Sequence, residues 1–226
     1  MARIILFDID MTLIRSQGAG RAAMNGAFSE AFGIEAATEG ISVGGRTDRA
    51  IFAQIIATHR LPPDAEAAFQ RVSAAYLQRL AGSLAARPGV VLPGVEALLP
   101  LLQQSHGAVG LATGNMRRGA ETKLAHHGLW HWFSGGGFGD DTPVRADLVR
   151  AGIRDMAALL GIDADPRETI VIGDTPLDVE AARAVGARAL AVATGSHTIE
   201  ALRESGADWV LDDLSDTDAV MKLLAS

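Results

Sequence analysis

Cysteine is absent from the 226 residues, so the chain has no disulfide framework, no zinc–thiolate site and no cysteine nucleophile. This absence fits a reducing compartment. Lysine is almost absent as well, since Lys123 and Lys222 are the only two. Arginine therefore supplies nearly all of the positive charge, and few positions are left for any role that needs a lysine.

Dense basic runs and long apolar runs are also missing. The formal net charge is -7, which argues against a duplex nucleic-acid partner and against anionic lipid. No apolar stretch approaches the roughly 20 residues that span a bilayer. The run at residues 4–7 ends in Asp8 and is too short for a signal peptide. We therefore expect a cytoplasmic protein that binds neither nucleic acid nor membrane, as a monomer or a homodimer.

Short apolar runs alternate with helical patterns along most of the chain. Hydrophobic residues make up 48% of the sequence, enough for a sizeable core. Strand-like runs lie at residues 4–7, 108–112, 169–172, 187–192 and 209–211, with a weaker one at 132–138. Helical patterns lie at 116–127, 145–160, 176–185 and 215–224. This alternation predicts an α/β fold, a Rossmann-like three-layer core around a parallel sheet.

Residues 15–88 interrupt this rhythm. They look entirely helical, with patterns at 19–32, 46–59 and 64–84. Pro-Gly pairs at 88–89 and 93–94 mark the return to the α/β pattern. The sequence therefore predicts an α/β core of residues 1–14 and 89–226 that carries an inserted all-helical cap domain, residues 15–88.

Two acids follow the first predicted strand. Side chains alternate along a strand, so Asp8 and Asp10 can point the same way just past its end. Two adjacent carboxylates repel each other unless one is protonated or a cation lies between them. The alternative is that each acid caps a helix or forms a turn, which is common for aspartate.

A second acidic pair, Asp174 and Asp178, follows another buried-type strand. Asp174 also suits a helix N-cap before Pro176, and Asp178 suits the first turn of that helix. Ligands bind at the carboxyl ends of strands in parallel sheets, however. Two strands that end in acids therefore indicate a hard-cation site with oxygen ligands.

Thr113, Gly114 and Asn115 end a third predicted strand. A hydroxyl and exposed backbone N–H groups beside a helix start can hold a phosphate. An ordinary strand-to-helix turn is the alternative.

These motifs in this order resemble the haloacid dehalogenase-like superfamily, in particular its phosphatases with a helical cap. The resemblance covers essentially the whole chain. It implies that Asp8 is the nucleophile that forms an aspartyl-phosphate and that Asp10 is the general acid and base. It implies Mg²⁺ as the cofactor, held by Asp8, the backbone carbonyl of Asp10 and Asp174, with support from Asp178. Thr113 is then the hydroxyl that binds the phosphoryl group.

The superfamily also uses a basic residue, usually lysine, near the nucleophile. Neither lysine falls in the expected segment between residues 138 and 169, and Lys123 is expected to be a solvent-exposed stem. Arg145 lies in that segment at a helix start, and we expect it to replace the lysine. A surface arginine is the alternative. Met11 stands where the family commonly has glycine. Methionine restricts the backbone of the loop more than glycine does.

The predicted cap holds candidates for substrate binding. Arg46 lies in a Gly-Gly-Arg-Thr-Asp segment just before a helix, where it either meets the substrate or is solvated while Thr47 caps the helix. Gln17, Arg21 and Asn25 are further candidates for lining the cleft. The dehalogenases of the superfamily lack the second acid, and its phosphonate-cleaving members use a cap lysine. Asp10 and the lysine-free cap disfavour both reactions.

The sequence therefore predicts a Mg²⁺-dependent phosphatase of a small phosphorylated metabolite, such as phosphoglycolate or a sugar phosphate. A phosphomutase of the same superfamily and a catalytically silent binding module are the alternatives. A nucleotide-binding redox fold is disfavoured because acids stand where a glycine-rich turn is required.

Overall fold

The computed structural model describes residues 4–61, 65–106, 109–140 and 142–225. A six-stranded parallel sheet forms the core, in the order β5-β4-β1-β6-β7-β8. Its strands are β1 (Ile4–Phe7), β4 (Val109–Ala112), β5 (Phe133–Gly137), β6 (Thr169–Gly173), β7 (Arg188–Val192) and β8 (Trp209–Leu211). The predicted α/β parallel-sheet fold is confirmed.

Helices cover both faces of the sheet. On one face lie α4 (Val95–His106), α5 (Arg117–His126) and α9 (Thr217–Ala225), and on the other α6 (Arg145–Leu160), α7 (Pro176–Val185) and α8 (Ile199–Glu204). Alternating side chains of β1 serve the two faces: Phe7 packs with the first set and Leu6 with the second. A strand buried on both faces must be continuously apolar, which explains its sequence.

Three further helices form a separate apolar cluster. They are α1 (Ala19–Phe32), α2 (Asp48–Thr58) and α3 (Ala65–Ala86). Phe28, Phe52 and Tyr76 are fully buried there, and the ring of Phe52 meets the other two edge to face at 5.8 and 5.7 Å. These helices therefore have a core of their own, as expected of a cap.

A short antiparallel ribbon connects this cap to the sheet domain. It consists of β2 (Ile14–Arg15) and β3 (Val90–Val91), with Ile14 opposite Val91 and Arg15 opposite Val90. The prediction that residues 15–88 are entirely helical is therefore wrong at Arg15. The ribbon was missed because two-residue strands leave no periodic pattern. The placement of the domain boundaries stays a prediction.

Most predicted elements agree with the structure to within two residues, and α6 and α7 agree at both ends. The short α8 was not predicted. Residues 64 and 108, included in a predicted helix and a predicted strand, lie outside the described residues. Within the described residues, none of the helices has the length and hydropathy that crossing a bilayer requires.

Candidate active site

Strand register brings the three sequence motifs to one edge of the sheet. Phe7 of β1 pairs with Leu111 of β4 on one side and with Ile172 of β6 on the other. The next residues of these parallel strands therefore leave the sheet side by side. Asp8, Thr113 and Asp174 follow there, as the sequence predicted.

Three carboxylates converge at this edge. Asp8, Asp174 and Asp178 each offer an oxygen, and these atoms lie within 4.8 Å of one another. The residues are only 5%, 4% and 2% exposed, so water does little to screen their repulsion. The side chain of Asp10 is not part of this group, so its predicted part in metal binding rests on its backbone carbonyl.

Two of these acids have raised pKa values, chiefly because they are buried. Burial raises the pKa of Asp174 to about 8, and the charges of Asp178 and Asp8 add to this. Burial also raises the pKa of Asp8 to about 6, although Arg145 opposes the shift. Asp174 has no hydrogen-bond partner among the described residues. A buried, unpartnered carboxylate among other acids fits a divalent cation with oxygen ligands such as Mg²⁺.

Asp178 is hydrogen-bonded at the start of its own helix, and it also lies close to Asp8 and Asp174. Its Oδ2 accepts hydrogen bonds from the backbone N–H of Thr175 at 3.0 Å and from the Thr175 hydroxyl at 2.6 Å. The Thr175 hydroxyl in turn caps α7, which completes a capping box. The helix-terminal role that the sequence left open is thus present together with a place in the acidic group.

Arg145 is the cation closest to this group. Its Nη2 lies 3.0 Å from Asp8 Oδ1, its Nε donates to Asp178 Oδ1 at 2.9 Å, and its Nη2 also contacts that oxygen. Its Nη1 donates to the carbonyl of Gly45 at 3.0 Å. The two acids raise the pKa of Arg145 against the opposing effect of burial. Arg145 therefore lies where the sequence analysis expected the family's lysine, and the surface alternative is wrong.

The position of Lys123 contradicts the prediction from the sequence. It was expected to be exposed, but it is 4% exposed, and its Nζ donates to Asp10 Oδ2 and to Asn115 Oδ1 at 2.6 Å each. Asn115 Nδ2 also donates to Asp10 Oδ2 at 2.8 Å. Burial alone would raise the pKa of Asp10, but Lys123 and Asn115 outweigh it and hold that pKa below its ordinary value. A general acid needs a raised pKa, which Asp10 does not have in this state.

Two of the three residues of the motif Thr113–Asn115 lie at the surface of a cavity. Thr113 is fully buried, and its hydroxyl accepts hydrogen bonds from Asn115 Nδ2 at 2.8 Å and from the Asn115 backbone N–H at 3.3 Å. Gly114 and Asn115 line a cavity, whereas Thr113 lies behind them. Its contact with a phosphoryl group stays a prediction.

The cavity has a volume of about 430 Å³ and lies between the sheet edge and the cap. The acids Asp8, Asp10 and Asp174 border it on the core side. Met11 also borders it, in a left-handed backbone conformation with φ 64° that glycine adopts more readily. The cavity volume falls at the lower end of the range for small-molecule sites.

The predicted cap residues meet this cavity unequally. Arg21 and Arg46 line it, whereas Gln17 and Asn25 are not among the lining residues. Asn25 instead accepts hydrogen bonds from Thr38. Arg46 donates to the carbonyls of Ser42 at 3.2 Å and Ala50 at 3.3 Å and contacts Gln54 Oε1, so its own segment holds it.

Asp48, the first residue of α2, is a second site residue that was not predicted from the sequence. Thr47 caps α2 by accepting a hydrogen bond from the backbone N–H of Ala50, as one of the two alternatives for this segment had it. The sequence predicted no role in the site for Asp48, yet it is 4% exposed and lines the cavity. Burial raises the pKa of Asp48 to about 6, and Lys123 opposes this.

A sequence signal existed for Lys123 but not for Asp48. Met116, Ala120, Lys123 and Leu124 follow the spacing of one buried helix face, which places the lysine inward. An acid in the first helical turn is ordinarily exposed, and nothing in the local pattern distinguishes Asp48 from such an acid.

Comparisons with known proteins agree with this architecture. A family model described as haloacid dehalogenase-like hydrolase matches residues 5–183. The probable phosphatase IndB of Dickeya dadantii is 28% identical over 247 residues, covering 100% of this chain and 98% of that protein. The phosphoglycolate phosphatase of Synechococcus elongatus is 33% identical over 135 residues, covering 59% of this chain and 61% of that protein.

A solved structure of a predicted phosphatase from Clostridium acetobutylicum superposes with a TM-score of 0.73 at 21% identity, covering 100% of both chains. That similarity supports the fold, and the relatives together with the family model indicate a phosphoric monoester hydrolase. Because the family model spans most of its length, the chain belongs to the haloacid dehalogenase-like hydrolase family.

Proposed function

We propose that this protein is a Mg²⁺-dependent phosphatase that hydrolyses a small phosphate monoester through a phosphorylated Asp8. The observation that carries the proposal is the convergence of Asp8, Asp174 and Asp178 within 4.8 Å at the carboxyl edge of the sheet. Asp8 and Asp174 also border the cavity, so a substrate there can reach them.

Asp8 is the nucleophile in this proposal. Its carboxylate attacks phosphorus, the bond to the ester oxygen breaks, and the phosphoryl group is transferred to Asp8. Attack by an anion on a phosphate dianion meets charge repulsion. Arg145 reduces it, because its guanidinium lies 3.0 Å from Asp8 Oδ1. Asp8, Asp174 and the carbonyl of Asp10, with Asp178 in support, would hold Mg²⁺, which would supply further charge neutralisation.

Asp10 is the group assigned to proton transfer. Its side chain is 39% exposed, borders the cavity and is oriented by Asn115 and Lys123. In the first step it gives a proton to the leaving oxygen, and in the second it takes one from the water that hydrolyses the phosphorylated Asp8. Since the pKa of Asp10 is held below its ordinary value in this structure, the negative charge of the bound substrate has to raise that pKa so that Asp10 takes up a proton before the first step.

Two alternatives are separated by their products. A phosphomutase returns the phosphoryl group to a second oxygen of the substrate, so it converts a hexose 1-phosphate to its isomer without releasing free phosphate. A silent binding module does neither. The cytoplasmic location, the absence of nucleic-acid and membrane partners, and the monomer or homodimer stay predictions.

The test is phosphate release from a panel of small phosphate esters by the parent protein and by Asp8→Asn, with Mg²⁺ or with a chelator. We expect Asp8→Asn to lose at least about 10³-fold in kcat, because asparagine cannot form the phosphorylated intermediate. Chelation should abolish the activity of the parent. Asp163→Asn, an exposed aspartate, is the matched control. Undiminished turnover by Asp8→Asn or in the presence of chelator would refute the mechanism.

A further inference from the structure

Asp48 presents a carboxylate oxygen without a partner to the cavity. Its backbone N–H donates to the carbonyl of Gly114 at 2.7 Å, and its Oδ2 accepts from the backbone N–H of Met116 at 2.9 Å. Its Oδ1 has no hydrogen-bond partner among the described residues. The cap thus presents one hydrogen-bond acceptor to the cavity that Asp8 and Asp10 also border.

Helix stabilisation does not explain this burial. Thr47 already caps α2, and an acid in the first turn gains its favourable interaction with the helix dipole while exposed. A carboxylate that is 4% exposed loses most of its hydration. Lys123, the nearby cation, donates its hydrogen bonds to Asp10 and Asn115 instead. The free oxygen of Asp48 can therefore be satisfied by a donor that enters the cavity.

The cap side of the cavity combines apolar surface with the guanidinium of Arg21. Met24, Val43 and Ile51 line the cavity there. Arg21 lines it too. Its Nη1 donates to the carbonyl of Thr38 at 3.2 Å. Its other guanidinium nitrogens make no hydrogen bond with the described residues. An acceptor and a guanidinium donor in one apolar wall match hydroxyl groups, which both accept and donate.

We propose that Asp48 is a specificity residue that accepts a hydrogen bond from a hydroxyl of the leaving group, so that the enzyme prefers phosphate esters of polyhydroxy compounds. The inference rests on the proposed phosphatase function. An ester of a hydroxy acid such as glycolate would bring its own carboxylate towards Asp48, and two buried like charges repel. A site built around a substrate hydroxyl rejects analogues that lack it, because its polar group is left unpaired.

Three esters with the same three-carbon skeleton test this preference. Glycerol 1-phosphate carries two hydroxyls, propyl phosphate carries none, and 3-phosphoglycerate carries one hydroxyl and a carboxylate in place of the other. We expect the parent to favour glycerol 1-phosphate over each of the others by about 10-fold or more in kcat/KM. Asp48→Asn should lower kcat/KM for glycerol 1-phosphate by about 10-fold and leave propyl phosphate within about two-fold. It should also improve turnover of 3-phosphoglycerate.

Asparagine can still accept a hydrogen bond from the backbone N–H of Met116, so this variant keeps the contact between cap and core. If the stability of Asp48→Asn falls, Asp48→Ser gives a second variant. An equal loss on all three esters would show a structural role and overturn the inference. A parent that prefers 3-phosphoglycerate would overturn it too, while leaving the phosphatase proposal intact. If the parent releases phosphate from none of the esters, the proposed function fails first and the inference with it.

Discussion

Lys123 lies near three polar residues that line the cavity, Asp10, Asn115 and Asp48. It is one of only two lysines, and it donates to both Asp10 and Asn115. The same ammonium lowers the pKa of Asp10 and opposes the raised pKa of Asp48. Lys123 is therefore a positioning residue, which sets the orientation and charge of the acid assigned to proton transfer.

Replacing Lys123 by methionine should cost both stability and turnover. The apolar stem is kept, but Asp10 loses its ion-pair partner and Asn115 loses a donor. We expect a loss of about 1–3 kcal/mol in the free energy of unfolding, because the ammonium is buried while Asp10 keeps contact with solvent. We also expect kcat to fall more than KM rises, since Asp10 acts on the reacting oxygen. Urea unfolding and steady-state kinetics measure the two effects.

Lys222→Met is the matched control, because Lys222 is the other lysine and is exposed on α9. It should change the free energy of unfolding by less than about 0.5 kcal/mol and leave kcat as it was. If Lys123→Met resembled this control in both measurements, Lys123 would have no positioning role.

Arg145 shows why a guanidinium suits a position where the family usually has lysine. One side chain reaches Asp8, Asp178 and the carbonyl of Gly45 through different nitrogens. A lysine has one charged nitrogen and lacks the planar fork that spans several acceptors. Arg145 therefore ties the nucleophile, the acid at the start of α7 and the cap to one another.

At the scale of elements, the segment of residues 44–48 seals the cap against the core. Asp48 bonds the backbone of Gly114, and Arg145 bonds the carbonyl of Gly45. The two backbones approach so closely that a Cβ on Gly114 would lie 2.2 Å from the carbonyl oxygen of Arg46. Glycine is required at position 114 for this packing.

Gly114→Ala should therefore separate the segment from the core. We expect kcat/KM to fall by about 10-fold or more, because a shift of about 1 Å misplaces the groups around the substrate. Gly82→Ala is the matched control: Gly82 is exposed within α3, and its added Cβ meets nothing within 4 Å. That variant should keep full activity and gain about 0.5–1 kcal/mol in stability through helix propensity. Equal activity of the two variants would contradict the seal.

At the scale of the whole molecule, burial of several acids at one point links metal binding to stability. The apolar clusters on the two faces of the sheet fix β1 and β6, and these strands hold Asp8 and Asp174 together whatever their repulsion. A cation that binds only the folded chain relieves this repulsion and stabilises the fold by mass action.

Mg²⁺ should raise the melting temperature. At a free concentration about 100 times Kd the stabilisation is about 2.7 kcal/mol, or roughly 5–10 °C for a chain of this size. At neutral pH, Asp174→Asn should melt higher than the parent without Mg²⁺, because it removes a carboxyl whose pKa burial raises to about 8 and which must therefore take up a proton on folding. The same variant should lose most of the shift on adding Mg²⁺. Scanning calorimetry at matched ionic strength measures both, and an undiminished shift in Asp174→Asn would place the cation elsewhere.

Much of the fold could be predicted because its elements are locally encoded. Continuous apolar runs identified the buried strands, and helical periodicity located α6 and α7 at both ends. The ribbon of Ile14–Arg15 and Val90–Val91 could not be predicted, since two-residue strands exist only through their pairing. Of the site, the acids at strand ends were identifiable because parallel strands present their carboxyl ends at one edge.

The sequence by itself determined the order of the motifs, the absence of cysteine and of dense basic runs, and the acids that follow two buried strands. Only the tertiary structure decided how those acids are partnered: Lys123 and Asn115 at Asp10, Arg145 across Asp8 and Asp178, and Asp48 facing the cavity. The physical reason is range. Strands and helices follow from neighbouring residues, whereas the charge state and direction of a side chain depend on groups brought close from 33 to 113 residues away.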